Sequence, residues 1–320
     1  MQQLEASRRF KGYKKQEPKA VRAAEIRKDP IQEGIRAAIR RSTPAFRQMT
    51  DDGVFCYDVN EEQVVARAVG IFYDEIKALP VTAADIERFS VSLDLDEIAS
   101  LYGQGTGHLL GTSDEKEFVL RDVIGLAISA LIKTVDEKVT LQLKHFPVKI
   151  SYLCTENTGE VEVYGNVGAF FAMGMSSGNV VLHGNADECA GAETKGGLVT
   201  INGNTGRQLG FYMKGGEILV NGNADFETAT GMKSGKIHIN GNCRGISNAG
   251  RSDDSYGGIK NGNITVTGYL GGIEDIENIL VIVEGNVSEI TRIKNSAIIV
   301  KGKIGRILDV EHSEINIIEE

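Results

Sequence analysis

The sequence has 320 residues, of which 41% are hydrophobic and 25% are charged, and its formal net charge at pH 7 is −9. This length and apolar content can bury a sizeable core, and they predict two domains. The 38 glycines and the absence of tryptophan favour a repeat protein over an ordinary enzyme. The sequence shows no signal peptide and no 18-residue apolar run, so we expect a cytoplasmic protein with no membrane span.

The start of the chain is basic, whereas the rest is acidic. Residues 1–50 contain 13 Lys and Arg against five Asp and Glu, a net charge of +8, so residues 51–320 carry −17. Within residues 1–16, five basic side chains surround Phe10 and Tyr13. Such an arm can bind nucleic acid, another polyanion or an acidic partner, although a solvated arm on the protein's own acidic body is the simpler interpretation. We predict a flexible basic arm over residues 1–16.

Residues 17–138 are predicted to form a helical domain. Thr82 followed by Asp85 has the spacing of a helix cap, as has Asn60 followed by Gln63. No strand precedes the loop Gly103–His108, so an inter-helix loop is favoured there over a phosphate cradle. Six helices are predicted: one that begins at Pro18, three over residues 30–48, 61–79 and 82–89, one that begins at Asp94, and one over residues 114–134. We expect this domain to cap the N-terminal end of the repeats that follow.

A 19-residue repeat organises the second half of the chain. Glycines recur at this interval, and each copy places apolar residues four and two positions before a Gly-Asn pair. Apolar residues two apart are typical of strands with one buried face, and a repeat of this length indicates a solenoid. Strands are also predicted at Val139–Lys144 and Val148–Leu153, as the first imperfect coils. The predicted class is therefore α+β, with a parallel β-helix of eight to nine coils over residues 139–320.

Two columns of repeat residues are interpreted as structural. The Asn residues tolerate left-handed backbone, and their stacked amides can hydrogen-bond between coils. These columns include Gly165, Gly184, Gly203, Gly222 and Gly241, and Asn185, Asn204 and Asn223.

An insertion at 244–261 and a lysine column are the predicted partner-binding features. The interval between repeat glycines rises to 27 residues here, and insertions in solenoids form loops on one face. The lysines recur eight positions before the repeat glycine and define an outer edge, for which a solvated face is the simpler interpretation. The candidate partner-binding residues are Arg244, Arg251, Asp253, Asp254 and Tyr256 in the insertion, and Lys195, Lys214 and Lys233 in the column.

No pattern in the sequence predicts a catalytic residue, a metal ligand or a cofactor. The four cysteines, Cys56, Cys154, Cys189 and Cys243, form no Cys-x-x-Cys pair, so we expect reduced and mostly buried thiols. His183 and His238 fall in different columns, three coils apart, and have no third ligand.

The repeat resembles a known family. The spacing Gly203-x-x-Gly206-x-x-x-Gly210, combined with Met-Lys-Gly-Gly-x-Ile-x-Val-x-Gly-Asn at 213–223, is similar to the repeats of the glycine-repeat subunit of formylmethanofuran dehydrogenase and of the C-terminal domain of the glutamate synthase large subunit. The resemblance covers about residues 155–305, and residues 1–140 have no counterpart in it. It implies a right-handed, single-stranded β-helix that is a non-catalytic part of a larger enzyme.

We therefore expect a scaffold subunit or assembly module of a multi-subunit redox or amidotransfer enzyme, with catalytic subunits as partners. Two alternatives stay open at this point. One is a stand-alone β-helix enzyme or ligand-binding protein that uses the 244–261 loop. The other is a self-associating structural protein, in which case a homo-oligomer is expected.

Overall fold

A computed structural model describes residues 29–51, 61–93, 120–247 and 259–318. The basic arm, the helices predicted from Pro18 and from Asp94, the Asn60 cap, the loop Gly103–His108 and most of the insertion lie outside these residues. The sequence-based expectations for those parts therefore stay predictions.

Four helices precede the solenoid in the described chain. They are α1 (Pro30–Asp51), α2 (Glu61–Ile76), α3 (Ala83–Ser92) and α4 (Leu120–Ile132). The predictions located α1, α2 and α3 but misjudged their ends, since α1 and α3 run three residues longer and α2 stops three residues earlier. Helix α4 is buried on most sides, as its continuous apolar sequence predicts.

The predicted cap of α3 is confirmed. The Thr82 hydroxyl accepts a hydrogen bond from the Asp85 amide at 3.3 Å, and the Asp85 carboxylate accepts one from the Thr82 amide at 2.9 Å. Burial of the Asp85 carboxyl opposes its ionisation, but the hydrogen bonds from Thr82 and Arg88 outweigh burial and lower its pKa. The cap thus satisfies the Asp85 amide of α3 with the Thr82 hydroxyl, and the Thr82 amide with the buried Asp85 carboxylate.

In the described residues, thirteen strands belong to one sheet that winds into a parallel β-solenoid of about nine turns. Coils of 19 residues contribute one short strand each, whereas the later 17-residue coils contribute either one strand of 14 residues, β9, or two strands of eight and four residues. The strands are β1 (Val139–Gln142), β2 (Glu160–Tyr164), β3 (Asn179–His183), β4 (Leu198–Ile201), β5 (Glu217–Val220), β6 (Lys236–Ile239), β7 (Ile246–Ser247), β8 (Ile259–Val266), β9 (Leu270–Val283), β10 (Val287–Lys294), β11 (Ala297–Val300), β12 (Ile304–Glu311) and β13 (Glu314–Ile317).

The strand register confirms the aliphatic ladders predicted from the repeat. Val220 pairs with Ile201 on one side and with Ile239 on the other, and all three side chains are fully buried. Three methionines nine positions before a repeat glycine, Met175, Met213 and Met232, are also buried. Each coil is therefore completed by its neighbours, as expected for a solenoid.

The strand predicted at Val148–Leu153 is wrong. This segment is a series of turns in which Tyr152 and Cys154 adopt left-handed backbone, with φ of 54° and 61°. Helix α4 packs directly on this segment, and the Ser129 hydroxyl of the helix donates a hydrogen bond to the Tyr152 carbonyl at 2.9 Å. A Cβ on Gly125 of the helix would lie 1.7 Å from the Ser151 carbonyl oxygen, so only glycine permits this approach.

Helix α3 contacts the first strand of the solenoid. The Gln142 amide at the end of β1 donates to the Ser90 hydroxyl at 3.0 Å, and the His145 imidazole lies 3.3 Å from the Leu93 carbonyl. The edge of β1 that faces away from β2 is thus partly covered by helical residues.

The repeat asparagines form a ladder by a mechanism other than the predicted one. None has positive φ; instead, the Asn185 side-chain carbonyl accepts from the Asn204 backbone amide, and Asn204 accepts from Asn223 in the same way, both at 2.8 Å. Hydrogen bonds between side-chain amides do occur, but in the column two positions earlier, immediately before the repeat glycine. There the Asn221 amide donates to Asn202 and the Asn240 amide donates to Asn221, each at 2.7 Å.

Candidate functional site

Two adjoining cavities form a groove on one face of the solenoid. Their volumes are about 550 and 400 Å³, and Arg207 lines both of them. The groove crosses successive coils, so its walls come from residues far apart in the sequence. We define the charged groove by its ionisable residues and one aromatic: Asp187, Glu188, Arg207, Asp225, Phe226, Glu227, Arg244, Glu274, Glu289, Arg292 and Asp309.

A gap in one column of side chains creates the larger cavity. Phe226, Gly245, Gly272 and Glu289 occupy this column in four consecutive coils, and Gly272 pairs with Glu289 in the sheet. Because two consecutive coils carry glycine, no side chain fills the space between Phe226 and Glu289. The Phe226 ring lies beside Gly245, 3.6 Å from the position that a Cβ would take.

Phe226 and Arg244 are the most conspicuous side chains of the groove. Phe226 is 47% exposed, and the Arg244 guanidinium carbon lies 4.9 Å from its ring centroid. The same guanidinium is 3.3 Å from the Asp225 carboxylate. An aromatic ring with a cation on its face, open to solvent on a solenoid, is typical of residues that anchor a bound partner.

Ion pairs hold the arginines of the groove in place. Arg207 pairs with Glu227, and Arg292 donates to Asp275 at 2.6 Å. The hydrogen bond to Glu227 raises the pKa of Arg207 above its already high value.

Three arginines and seven carboxylates line the two cavities, which gives the lining a net charge of −4. Two of these carboxylates, Asp187 and Glu289, also pair with Lys149 and Arg306 beside the groove. The groove is therefore preorganised and acidic, and Arg244 is the most exposed of its three arginines.

The boundaries predicted for the insertion are too wide. Ile246 and Ser247 still pair with Ile273 and Glu274 of β9, and the chain rejoins the sheet at Ile259, which pairs with Ile276. The inserted residues are therefore 248–258 rather than 244–261. Their structure lies outside the described residues, and so do the predicted contact residues Arg251, Asp253, Asp254 and Tyr256.

The insertion leaves the solenoid at the charged groove. Ser247, the last described residue before it, lines the larger cavity together with Arg244. Of the five partner-binding residues predicted around the insertion, the structure thus places Arg244 in the groove. It adds Phe226 and Arg207, which the sequence analysis missed; the column that runs Phe226, Gly245, Gly272, Glu289 was the signal that could have found them.

The lysine column lies on a separate edge of the solenoid. Lys195, Lys214 and Lys233 are exposed, as predicted, and none of them lines either cavity. Lys214 pairs with Glu193 at 3.0 Å. The column and the groove are therefore two separate candidate surfaces.

The described thiols and histidines have structural surroundings. Cys154, Cys189 and Cys243 are buried, and burial raises the pKa of Cys243 to about 11. His183 stacks on Tyr164 with ring centroids 4.3 Å apart, and His238 lies 2.6 Å from the Asn240 side chain. Among the described residues, no group of three or more His, Cys, Asp or Glu side chains is arranged to hold a metal ion. No helix in the described ranges is long and apolar enough to cross a membrane.

The sequence was also compared with known proteins. No model of a protein family matches the chain, and no curated protein matches it either.

Proposed function

We propose that this protein is a non-catalytic β-solenoid scaffold or assembly subunit that docks its partner subunits at the charged groove. One observation carries the proposal. At the point where the repeat is interrupted, the solenoid displays an exposed Phe226 with Arg244 stacked on it, and an insertion leaves from the adjacent Ser247. Loops that leave a rigid scaffold commonly carry its contacts, and an aromatic–arginine pair is typical of interface anchors.

The chemistry of the described side chains favours docking over catalysis. The arginines of the groove are held by carboxylates. The described thiols are buried, and the Cys243 pKa near 11 keeps that thiol protonated at neutral pH. An interface needs only shape, charge and an anchor, and the groove supplies all three.

The resemblance of the repeat supplies the finer part of the proposal. We assign the chain to the glycine-repeat, right-handed β-helix type found in formylmethanofuran dehydrogenase and in the glutamate synthase large subunit. Its partners are then catalytic subunits of a cytoplasmic redox or amidotransfer enzyme. In this arrangement the helices before residue 138 cap the N-terminal end of the solenoid, a role supported by the contact between Ser90 and β1.

The cavity volume favours a second candidate, a ligand-binding protein. About 550 Å³ lies within the range of small-molecule sites, roughly 300–1,000 Å³. A bound small molecule would use Phe226 for stacking and the flanking carboxylates for polar contacts. Calorimetric titration with the metabolites of the native cell would detect such a ligand without any partner protein.

Affinity purification of the tagged, full-length protein from its native cell tests the scaffold proposal. We expect co-purifying subunits in a fixed ratio, with a flavin, an iron–sulfur cluster or amidotransferase activity among them. In a Phe226→Ala, Arg244→Ala variant these subunits should be lost, because the anchor and its cation are removed.

A matched control separates a lost interface from a damaged fold. Val91→Ala, Arg41→Ala removes one side chain of each type from the helices, where Val91 is 41% exposed and the Arg41 side chain 55% exposed. Both variants should melt like the wild type, since all four side chains are on the surface. If the groove variant retains the same subunits in the same ratio, the groove is not the docking site and the lysine column is the better candidate.

A further inference from the structure

The two most strongly charged features of this chain have opposite signs. The charged groove has a net charge of −4. Residues 1–28 contain nine Lys and Arg against three Glu, a net charge of +6. The lysine column cannot attract this segment, because its exposed side chains have the same sign. The groove combines negative charge with a cavity, and that combination suits a basic peptide.

We propose that residues 1–28 of this chain bind in the charged groove and compete there with its partner. The binding of the segment rests only on the groove and the sequence. The competition rests, in addition, on the proposed docking function. The occupied groove would then be an autoinhibited state that a partner with higher affinity must displace.

The composition of the segment matches that of the groove. Phe10 and Tyr13 are interleaved with basic residues, so the segment offers rings and cations in alternation. The groove offers the Phe226 ring, the Arg244 guanidinium on that ring, and carboxylates on both sides. Basic side chains of the segment can pair with these carboxylates, and its rings can stack on the guanidinium. Each type of group in the segment thus has a complement in the groove.

The segment is long enough to reach the groove. The described chain starts at Asp29, which lies 3.8 Å from Arg88 of α3, beside the first strand of the solenoid. Phe226 follows the fifth strand, about 20 Å along the axis at roughly 4.8 Å per coil. From Tyr13 to Pro18 an extended chain spans up to about 16.5 Å at roughly 3.3 Å per residue, and the helix predicted from Pro18 adds about 16.5 Å up to Asp29 at roughly 1.5 Å per residue, which gives about 33 Å in all. The aromatic part of the segment can therefore reach Phe226 within one molecule.

Zero-length carbodiimide crosslinking of the full-length protein tests this contact. The reagent joins an amine to a carboxylate only when the two are in contact, and peptide mass spectrometry identifies the pair. We expect Lys11, Lys14 or Lys15 to be joined to Glu188 or Glu289 of the groove. These crosslinks should fall at least about fivefold at roughly 0.5 M salt, because ionic contacts with exposed groups are screened. The pair Lys301–Glu284, 2.9 Å apart, serves as the internal positive control.

Matched variants test whether the contact is specific. Glu188→Gln, Glu289→Gln removes two charges from the groove, whereas Glu217→Gln, Glu314→Gln removes two exposed charges outside it. Only the groove variant should shift the crosslinks away from groove carboxylates. Mixing isotopically labelled with unlabelled protein distinguishes a contact within one chain from a contact between two chains. The proposal is overturned if no crosslinks to the segment form at low salt, or if Glu217 and Glu314 are joined to it as often as Glu188 and Glu289.

The competition needs a variant of the segment in the intact chain. Replacing Arg8, Arg9, Lys11, Lys14 and Lys15 with Gln should increase the amount of partner bound, because the competitor is weakened. Absent crosslinks together with partner capture that depends on Phe226 would refute this inference and leave the docking function intact. Specific crosslinks together with capture that is insensitive to Phe226 would refute the docking function and leave the segment in the groove.

Discussion

Substituting one repeat glycine tests the close stacking of the coils. Gly222 has ordinary backbone, yet a Cβ there would lie 2.5 Å from the Gly203 carbonyl oxygen and 2.7 Å from Asn204 Oδ1. Ordinary contact begins near 3.4 Å, so the coils would have to separate locally by about 0.9 Å. Gly222→Ala should therefore strain the solenoid even though it adds only one methyl group.

The cost follows from two effects. Overpacking by one methyl group costs roughly 1–3 kcal/mol. The separation also weakens the 2.8 Å hydrogen bond from the Asn223 amide to Asn204, which contributes about 1 kcal/mol. We expect the free energy of unfolding to fall by about 2–4 kcal/mol. At an unfolding entropy of roughly 2.1 cal/mol/K per residue, this lowers the melting temperature by about 3–6 °C.

Gly159→Ala is the matched control in the same solenoid. A Cβ at Gly159 meets nothing within 4 Å, so the free energy of unfolding should stay within about 1 kcal/mol of the wild type. Differential scanning calorimetry of both variants measures the difference. Equal melting temperatures would show that the coils can separate freely, and the close-stacking argument would fail.

Three further predictions concern the core, the helix cap and the thiols. Val220→Asp should cost several kcal/mol, because it buries an unpaired carboxylate; a soluble variant that melts like the wild type would show that the column does not point inward. Asp85→Asn should lower the free energy of unfolding by about 1–2 kcal/mol at pH 7. Because the pKa of Asp85 is lowered in the folded state, its carboxylate stabilises the fold at pH values above the unfolded pKa, which is near 4. This stabilisation is lost as pH falls through the folded-state pKa. The difference in melting temperature between Asp85→Asn and the wild type should therefore be smaller at pH 3 than at pH 7. Cys154, Cys189 and Cys243 should resist iodoacetamide at pH 8 in the native protein and react in urea; native labelling of any of them, detected by mass spectrometry, would contradict their burial.

The periodic part of this protein could be predicted from its residues alone. In a repeat protein, residues one interval apart occupy equivalent positions in neighbouring coils. The 19-residue interval therefore predicts that Val220 pairs with Ile201 and Ile239, as the structure shows. Local chemistry was equally decisive at Thr82 and Asp85, where both partners of the cap lie within one helical turn. In both cases the interacting residues are separated by a fixed number of residues in the sequence.

The features that break this periodicity depend on how the coils and helices pack against one another. Val148–Leu153 has the alternation of a strand, but helix α4 packs on it and left-handed residues replace the strand. The charged groove arises where Phe226, Gly245 and Glu289 meet across coils of unequal length, and the insertion hides that alignment in the sequence. The stacking order of the coils determines which side chains share a surface, and where the interval changes, spacing along the chain no longer indicates distance in space.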